Sequence, residues 1–173
     1  MAILRARIVK VVAVVLGLPL VFAGCATQQS APRFVKMQTK FDYSEHEPYV
    51  HPGENSIRGR AFLDQQGGVV TCAGSRVLLV PGTSYFREMI RHFVARSEPD
   101  PPETPYPSLK DMFRKTQCDA QGNFSFPNLP DGAFFILTEV NARHGGMLIQ
   151  EVPPLSNGKT TQVLLTNKDL VGR

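Results

Sequence analysis

The sequence predicts an all-β fold, a sandwich of two antiparallel sheets, and three observations support this prediction. Fourteen prolines and fourteen glycines in 173 residues, with no tryptophan, indicate many turns and short elements. From about residue 55, short apolar or alternating segments follow one another between turn signals. Strand and helix patterns do not alternate as a parallel sheet requires, which favours antiparallel pairing.

The first predicted strand shows the alternation most clearly. Ile57, Ala61 and Leu63 fall on one face, and Arg58 and Arg60 fall on the other. The second strand, at residues 76–80, is apolar on both faces and is therefore expected in the middle of a sheet. We expect seven strands, at residues 56–63 with a continuation at 69–72, then at 76–80, 113–118, 123–126, 133–141, 147–152 and 160–166.

One segment, residues 83–112, departs from the strand pattern. Thr83 can cap a helix whose apolar positions are spaced for one helical face: Phe86, Met89, Ile90 and Phe93. Prolines crowd the following loop, at positions 99, 101, 102, 105 and 107. We therefore expect one short helix and a proline-rich insertion between the second and third strands. The insertion is either a functional surface for protein contact or a decoration that covers a sheet edge.

The N-terminus has the pattern of an export signal. Arg5, Arg7 and Lys10 precede an apolar run at residues 11–23. Thirteen helical residues span roughly 20 Å, which is short for a bilayer core of about 30 Å. We interpret residues 1–24 as a signal peptide. The alternatives are an ordinary signal peptide cut elsewhere and a signal anchor.

The end of this signal, Phe22-Ala23-Gly24-Cys25, resembles the lipobox of bacterial lipoproteins. The resemblance implies that Cys25 receives diacylglycerol and that its new amino group receives a further acyl chain such as palmitate. Two or three chains anchor a protein stably, whereas one does not. Ala26 follows the cysteine, which implies an outer membrane location facing the periplasm in a Gram-negative cell. Residues 25–54 are expected to be a tether, and its later part, Phe34-Val35 and Phe41-Asp42-Tyr43, has enough aromatic side chains to pack along the domain.

The remaining chain, residues 55–168, resembles the carboxypeptidase regulatory-like domain. The matching runs are Ile57-x-Gly59-x-Ala61, Thr71-Cys72-Ala73-Gly74-x-x-Val77-x-Leu79-x-Pro81, Cys118-Asp119-Ala120-x-Gly122-Asn123-Phe124-x-Phe126 and Leu129-Pro130-x-Gly132. Pro81-x-Thr83-x-Tyr85 with Glu88 is similar to a bacterial subgroup with a helical insert. The resemblance implies a seven-stranded prealbumin-like (Ig-like) sandwich that is non-catalytic and serves as a folding, binding or spacing module.

Cys72 and Cys118 remain after lipidation of Cys25. Both fall at predicted strand edges of an exported domain, which favours a structural disulfide. Two buried thiols and a redox pair are the alternatives, although the chain has no Cys-x-x-Cys motif.

Residues that could carry chemistry form no recognisable constellation. His46, Glu47 and His51 could offer a soft metal site, but surface histidines in a tether are the favoured interpretation. Catalytic alternatives lack support: Ser75 and Ser84 have no nucleophile motif, Glu45 and Glu47 lie too close together in a loop, and the chain does not end in the Tyr-Arg-Gly-Ser of prealbumin-like hydrolases. We expect no catalytic residue, cofactor or metal.

The charge of the chain after residue 24 is nearly balanced and predicts no nucleic-acid or anionic-surface partner. Three of the nineteen basic residues lie in the acid-free segment 1–24, so the remainder carries 16 basic and 15 acidic residues. We expect a membrane-anchored envelope lipoprotein with a structural or protein-binding sandwich and an envelope protein as its partner. The alternatives are a carbohydrate- or peptidoglycan-binding module, with aromatics such as Tyr43, Tyr49, Tyr85 and Tyr106 in a row, and a hydrolase.

Overall fold

The computed structural model describes residues 34–99 and 112–171. In chain order, the strands and helices are β1 (Phe34–Val35), α1 (Tyr43–His46), β2 (Asn55–Gln65), β3 (Gly68–Thr71), β4 (Arg76–Pro81), α2 (Ser84–Val94), β5 (Glu98–Pro99), β6 (Arg114–Gln117), β7 (Asn123–Leu129), β8 (Gly132–Val140), β9 (Gly146–Leu155), β10 (Thr160–Leu165) and β11 (Leu170–Val171). Single 3-10 turns occupy Glu47–Val50 and Asn167–Asp169. No helix in this part of the chain has the length and apolar character needed to cross a membrane.

Two sheets form a sandwich, as the sequence predicts. The larger sheet has the order β11-β9-β8-β4-β6 with every pair antiparallel. The doubly apolar strand β4 is an inner strand of this sheet, between β8 and the edge strand β6. In the smaller sheet, β2 pairs with β10 in parallel. It also pairs antiparallel with two strands, with β7 along residues 55–60 and with β3 along residues 62–65.

The expected purely antiparallel, seven-stranded arrangement is not what the structure has. Strand β10 runs parallel to β2, with Thr160 beside Ser56 and Leu165 beside Ala61. The chain leaves β9 in one sheet and enters β10 in the other, so the direction of β10 depends on this crossover and not on local pattern. The strands in the described ranges also exceed seven, because β3 pairs separately and β1, β5 and β11 are two-residue additions.

The main core fills the space between the sheets. Its buried side chains come from both sheets: Ile57, Leu63, Val77, Leu79, Phe124, Phe126, Ile136, Leu148, Val152 and Leu165. Gly59 belongs to this inner face, where a Cβ atom would overlap the ring of Phe124 and the side chain of Val163. Glycine at this position therefore lets three neighbouring strands pack closely.

A second apolar cluster lies on the outer face of the larger sheet. Helix α2 covers this face, and the buried side chains that meet there are Val80, Tyr85, Phe86, Ile90, Met112, Phe135 and Leu137. The predicted helix is confirmed, and the Thr83 hydroxyl accepts a hydrogen bond from the Phe86 N–H at 3.4 Å. Phe93, which was expected on the packed face, is 48% exposed in the last turn.

The second half of the segment predicted as a tether, residues 25–54, packs on the sandwich, as its aromatic residues indicated. From Phe34 onward the chain forms β1, α1 and a 3-10 turn. The Tyr49 ring packs edge-on against Phe134 at 5.3 Å, and burial raises the pKa of Tyr49 above its usual value. Aromatic side chains anchor this segment to the sandwich.

Candidate functional site

Cys72 and Cys118 form the predicted disulfide, with Cα atoms 5.8 Å apart. Cys72 follows β3 in the smaller sheet and Cys118 follows β6 in the larger sheet. Both residues are buried. The bridge therefore ties one sheet to the other beside the turn at residues 119–122, which is a structural role.

Other predicted features lie outside the described residues. They are the signal peptide 1–24, the lipidation site Cys25, and residues 100–111 of the proline-rich insertion, which include Tyr106. Their functions stay predictions.

The expectation of surface histidines in a tether is wrong for His46. This side chain is fully buried, and its ring stacks on Phe41 with centroids 4.1 Å apart. Its Nδ1 lies 2.6 Å from the Asp42 carbonyl oxygen, and its Nε2 lies 2.8 Å from the Thr83 Oγ1. Because a carbonyl can only accept, Nδ1 carries a hydrogen and donates it to the Asp42 carbonyl oxygen, while Nε2 shares a hydrogen bond with the Thr83 hydroxyl. Both ring nitrogens are thus engaged, and the suggested soft metal site does not exist at His46.

His51 is exposed, as expected, and its Nε2 lies 3.0 Å from the Glu47 Oε1. The described residues contain no group of three potential His, Cys, Asp or Glu ligands placed to hold a metal ion.

Glu88, on helix α2, is a buried carboxylate that fastens the N-terminal segment. Its two oxygens accept hydrogen bonds from the N–H groups of Gln38 and Thr39, both at 2.7 Å. The His92 Nε2 lies 3.5 Å from the same carboxylate. Burial raises the pKa of Glu88, but these hydrogen bonds outweigh burial and lower the pKa to about 2. Sequence reasoning noted Glu88 as part of a motif and missed this role.

The other candidates for acid–base or nucleophilic chemistry have structural partners. The Glu45 Oε1 accepts from the Ser84 N–H at 2.7 Å, at the first residue of α2. Ser75 is nearly buried, and its carbonyl accepts from the Cys118 N–H at 3.0 Å. These contacts hold loops and a helix end in place.

The tyrosines do not form the row of exposed aromatics that a stacking carbohydrate site would use. Tyr43 is 51% exposed, whereas Tyr85 is buried beneath helix α2 and Tyr49 packs on the sandwich. A sugar site among the described residues would therefore not be built on a row of tyrosines.

An open groove of about 770 Å³ lies against the outer face of the smaller sheet and reaches the end of β6 and the turn at Asp119. Strand register places Gln162, Arg58 and Ser125 in one row across β10, β2 and β7, and the next row holds Leu164, Arg60 and Asn123. With strands about 4.8 Å apart and about 3.3 Å per residue, each row is about 10 Å wide and the rows are about 7 Å apart. We call these six residues the arginine groove.

Two contacts fix part of the arginine groove. The Arg60 Nε donates to the Gln121 carbonyl oxygen at 3.0 Å, and its guanidinium lies over the Phe62 ring, 5.3 Å from the centroid. The sequence correctly placed Arg58 and Arg60 on the face opposite the core. It could not place Gln162 and Leu164 beside them, because it gave no sign of the parallel β10–β2 pair.

A second cavity, of about 750 Å³, lies at the end of β2 beside the turn at residues 143–145. There the Asn167 side chain bridges to Asp64, accepting from its N–H at 2.8 Å and donating to its carbonyl oxygen at 2.9 Å. These bonds hold the turn after β10 against β2. The arginine groove offers the freer polar surface.

Comparison with known proteins supports the fold. The sequence matches no protein-family model and no curated protein. Among solved structures, it is similar to a Pseudomonas aeruginosa protein described as a candidate carbohydrate-binding protein, with 24% identity, a TM-score of 0.56, and 75% of this chain and 99% of that chain covered. This likeness supports the β-sandwich fold.

Two further structures overlap less well. The major pilin subunit of Bacillus cereus has 12% identity and a TM-score of 0.36, covering 67% of this chain and 30% of that chain. Chlorocatechol 1,2-dioxygenase of Pseudomonas putida has 11% identity and a TM-score of 0.33, covering 83% and 70% respectively. At these TM-scores neither overlap carries a functional conclusion.

Proposed function

We propose that the chain is an exported lipoprotein, anchored in the outer membrane through Cys25, whose sandwich is a non-catalytic carbohydrate-binding module facing the periplasm. The observation that carries the binding role is the arginine groove. It is open, polar and built on paired strands, and the packing of the core does not require its side chains. The description of the Pseudomonas aeruginosa structure as a candidate carbohydrate-binding protein agrees with this role.

The side chains of the groove suit a sugar. Gln162, Asn123 and Ser125 supply amide and hydroxyl groups that can both donate and accept hydrogen bonds, which sugar hydroxyls require. Leu164 is 49% exposed and offers an apolar surface beside them. Because paired strands hold the backbones of these residues, little backbone entropy is lost when a ligand binds.

Filling the arginine groove with a bulky side chain tests this function. We expect that Ser125→Trp, which places a bulky side chain in the middle of the groove, abolishes binding of the full chain in detergent to a panel of acidic and neutral oligosaccharides. Ser156→Trp adds the same side chain at an exposed turn outside the groove and should leave binding unchanged. Isothermal titration calorimetry measures both. If the unsubstituted protein binds no oligosaccharide of either kind, the proposal is wrong.

The anchor rests on the N-terminal pattern, the lipobox resemblance and Ala26. We expect Cys25→Ser to remove lipidation and to leave the precursor uncleaved after Gly24, because the thiol is the acceptor that the peptidase requires. Metabolic labelling with a fatty-acid analogue reports lipidation, and Cys72→Ser is the matched control that should keep the label. Undiminished label on Cys25→Ser contradicts the anchor. We also propose that the sandwich is a carboxypeptidase regulatory-like domain.

A second candidate function, capture of an envelope protein, is favoured by one observation. Phe93 and Val94 are 48% and 44% exposed at the end of α2, immediately before the proline-rich insertion. Adjacent exposed apolar side chains of this size suit a protein contact. The sandwich would then act as a rigid support for the insertion.

A further inference from the structure

The charge of the arginine groove is not neutralised by its own residues. Arg58 and Arg60 lie two positions apart on β2, and both point to the outer face. Asp119 is the carboxylate among the described residues that line the groove. Its oxygens already accept from the Asn123 side chain and from the N–H groups of Asn123 and Gln121, and the Asn123 hydrogen bonds lower the pKa of Asp119. Asp119 is thus committed to its own turn.

The two arginines differ in how they are held. Arg60 is oriented by Gln121 and Phe62. Arg58, although exposed at the centre of its row, has no hydrogen bond or ion pair in the part of the chain that the structure describes. A guanidinium presents paired N–H donors that match a carboxylate with two parallel hydrogen bonds. Arg58 is therefore the group in the groove that is free to bind an anion.

The place of the groove argues against a peptide as the anion. Peptides commonly bind to sheets by adding a strand at a free edge, where backbone groups are unpaired. The arginine groove is centred on the face of β2, whose backbone is paired with β10 on one side and with β7 on the other, so no free edge lies within it. The side chains around Arg58 are Gln162, Ser125 and Asn123. Their polar groups suit the hydroxyl groups of a sugar better than they suit the apolar side chains of a peptide.

We propose that the arginine groove binds a glycan that carries carboxylates on its sugar rings, and that Arg58 pairs with one of these carboxylates. This inference rests on the proposed carbohydrate-binding function and names its ligand class. The side chains of Gln162, Asn123 and Ser125 bind the sugar hydroxyls. Arg60 binds a carboxylate on the adjoining ring. Arg58 thereby selects acidic over neutral chains.

The test compares tetragalacturonate with its methyl ester, which has the same rings without the charges. We expect the full chain in detergent to bind the acid about tenfold more tightly than the ester, as for one charge-assisted hydrogen-bonded pair. Arg58→Ala should reduce affinity for the acid about tenfold and leave the ester unaffected. Arg58→Lys keeps the charge without the paired donors and should restore affinity only in part. Arg91→Ala, an exposed arginine on helix α2, is the matched control and should change neither.

Three outcomes overturn the inference: equal affinity for acid and ester, unchanged acid binding by Arg58→Ala, or equally tight binding of a glutamate peptide of the same charge. If neutral oligosaccharides still bind and Ser125→Trp still blocks them, the proposed function stands and only the ligand class is wrong. If no oligosaccharide binds, both are wrong.

Discussion

The two sheets of the sandwich have opposite outer faces. The outer face of the larger sheet is apolar, and helix α2 with the segment at residues 34–42 covers it. The outer face of the smaller sheet carries Arg58, Arg60 and their polar neighbours, and it faces solvent. The difference follows from strand composition: β4 and β8 are apolar on both faces and need a cover, whereas β2 alternates and needs none.

The two faces also differ in how precisely their polar groups are held. On the covered face, Glu88 and His46 are buried and bonded to backbone or to another side chain. Burying such polar groups costs free energy unless their hydrogen bonds are made. The covered face therefore needs residues 34–42 and helix α2 to stay in place, and it is not available to a ligand. On the open face, Arg58 has no such commitment. A face with uncommitted charge is the one suited to an external ligand.

The largest expected effect concerns the bond that joins the two sheets. Replacing both cysteines (Cys72→Ala with Cys118→Ala) should lower the free energy of unfolding by about 4 kcal/mol, because the bridge closes a loop with a sequence separation of 46. Each single variant should cost at least as much as the pair, since both remove the same bond. Urea unfolding without reductant measures this.

Thiol titration provides the check on that bond. In the unfolded protein before reduction, two reactive thiols besides Cys25 would contradict the disulfide.

The next effect concerns Glu88, which binds residues 38 and 39 to helix α2. The pKa of Glu88 is about 2 in the folded protein against an ordinary 4.5, so the native state favours the ionised form. The contribution of the ionised carboxylate to the free energy of unfolding is full above about pH 4.5 and is lost as the pH falls through about 2. The difference in unfolding free energy between the parent and Glu88→Gln should shrink by about 3 kcal/mol over that window.

Urea unfolding at pH 6 and at pH 2 gives that difference directly. Glu139→Gln, an exposed carboxyl at the end of β8, is the control and should track the parent at both pH values. A pH-independent difference for Glu88→Gln would show that the cover is not fastened by the ionised carboxylate.

The smallest effect is expected on the open face. Arg58→Ala should change the free energy of unfolding by less than about 0.5 kcal/mol, because its side chain is exposed and has no partner among the described residues. Leu137→Ala, on the outer face of the other sheet, should cost about 2–4 kcal/mol because it leaves a cavity beneath the cover. Thermal unfolding distinguishes them. Comparable losses would mean that Arg58 serves the fold and not a ligand.

Local pattern predicted much of the fold. The alternation in β2, the central position of β4, the Thr83-capped helix and the Cys72–Cys118 bridge could be read from the sequence, because each depends on neighbouring residues or on a count. The parallel pairing of β10 could not, because it is decided by where the chain crosses between sheets.

The site was harder to predict for the same reason. The alternation placed Arg58 and Arg60 on the outside, but their register partners in the arginine groove lie 63 to 104 positions further along the chain. His46 was misjudged because its partner Thr83 lies 37 residues further along the chain. Sequence spacing predicts neither the pairing of β7 and β10 with β2 nor the hydrogen bond between His46 and Thr83.

The attachment of residues 34–42 to helix α2 has a mechanical consequence. If the chain is anchored through Cys25, a pull on the described domain acts through the segment that begins at Phe34. The first contacts to feel that pull are the short β1–β5 pair and the two backbone bonds to Glu88, and the disulfide-linked sheets lie behind them. Under tension the cover should peel before the sandwich opens. The arginine groove, on the opposite sheet, would keep its shape while the anchor is strained.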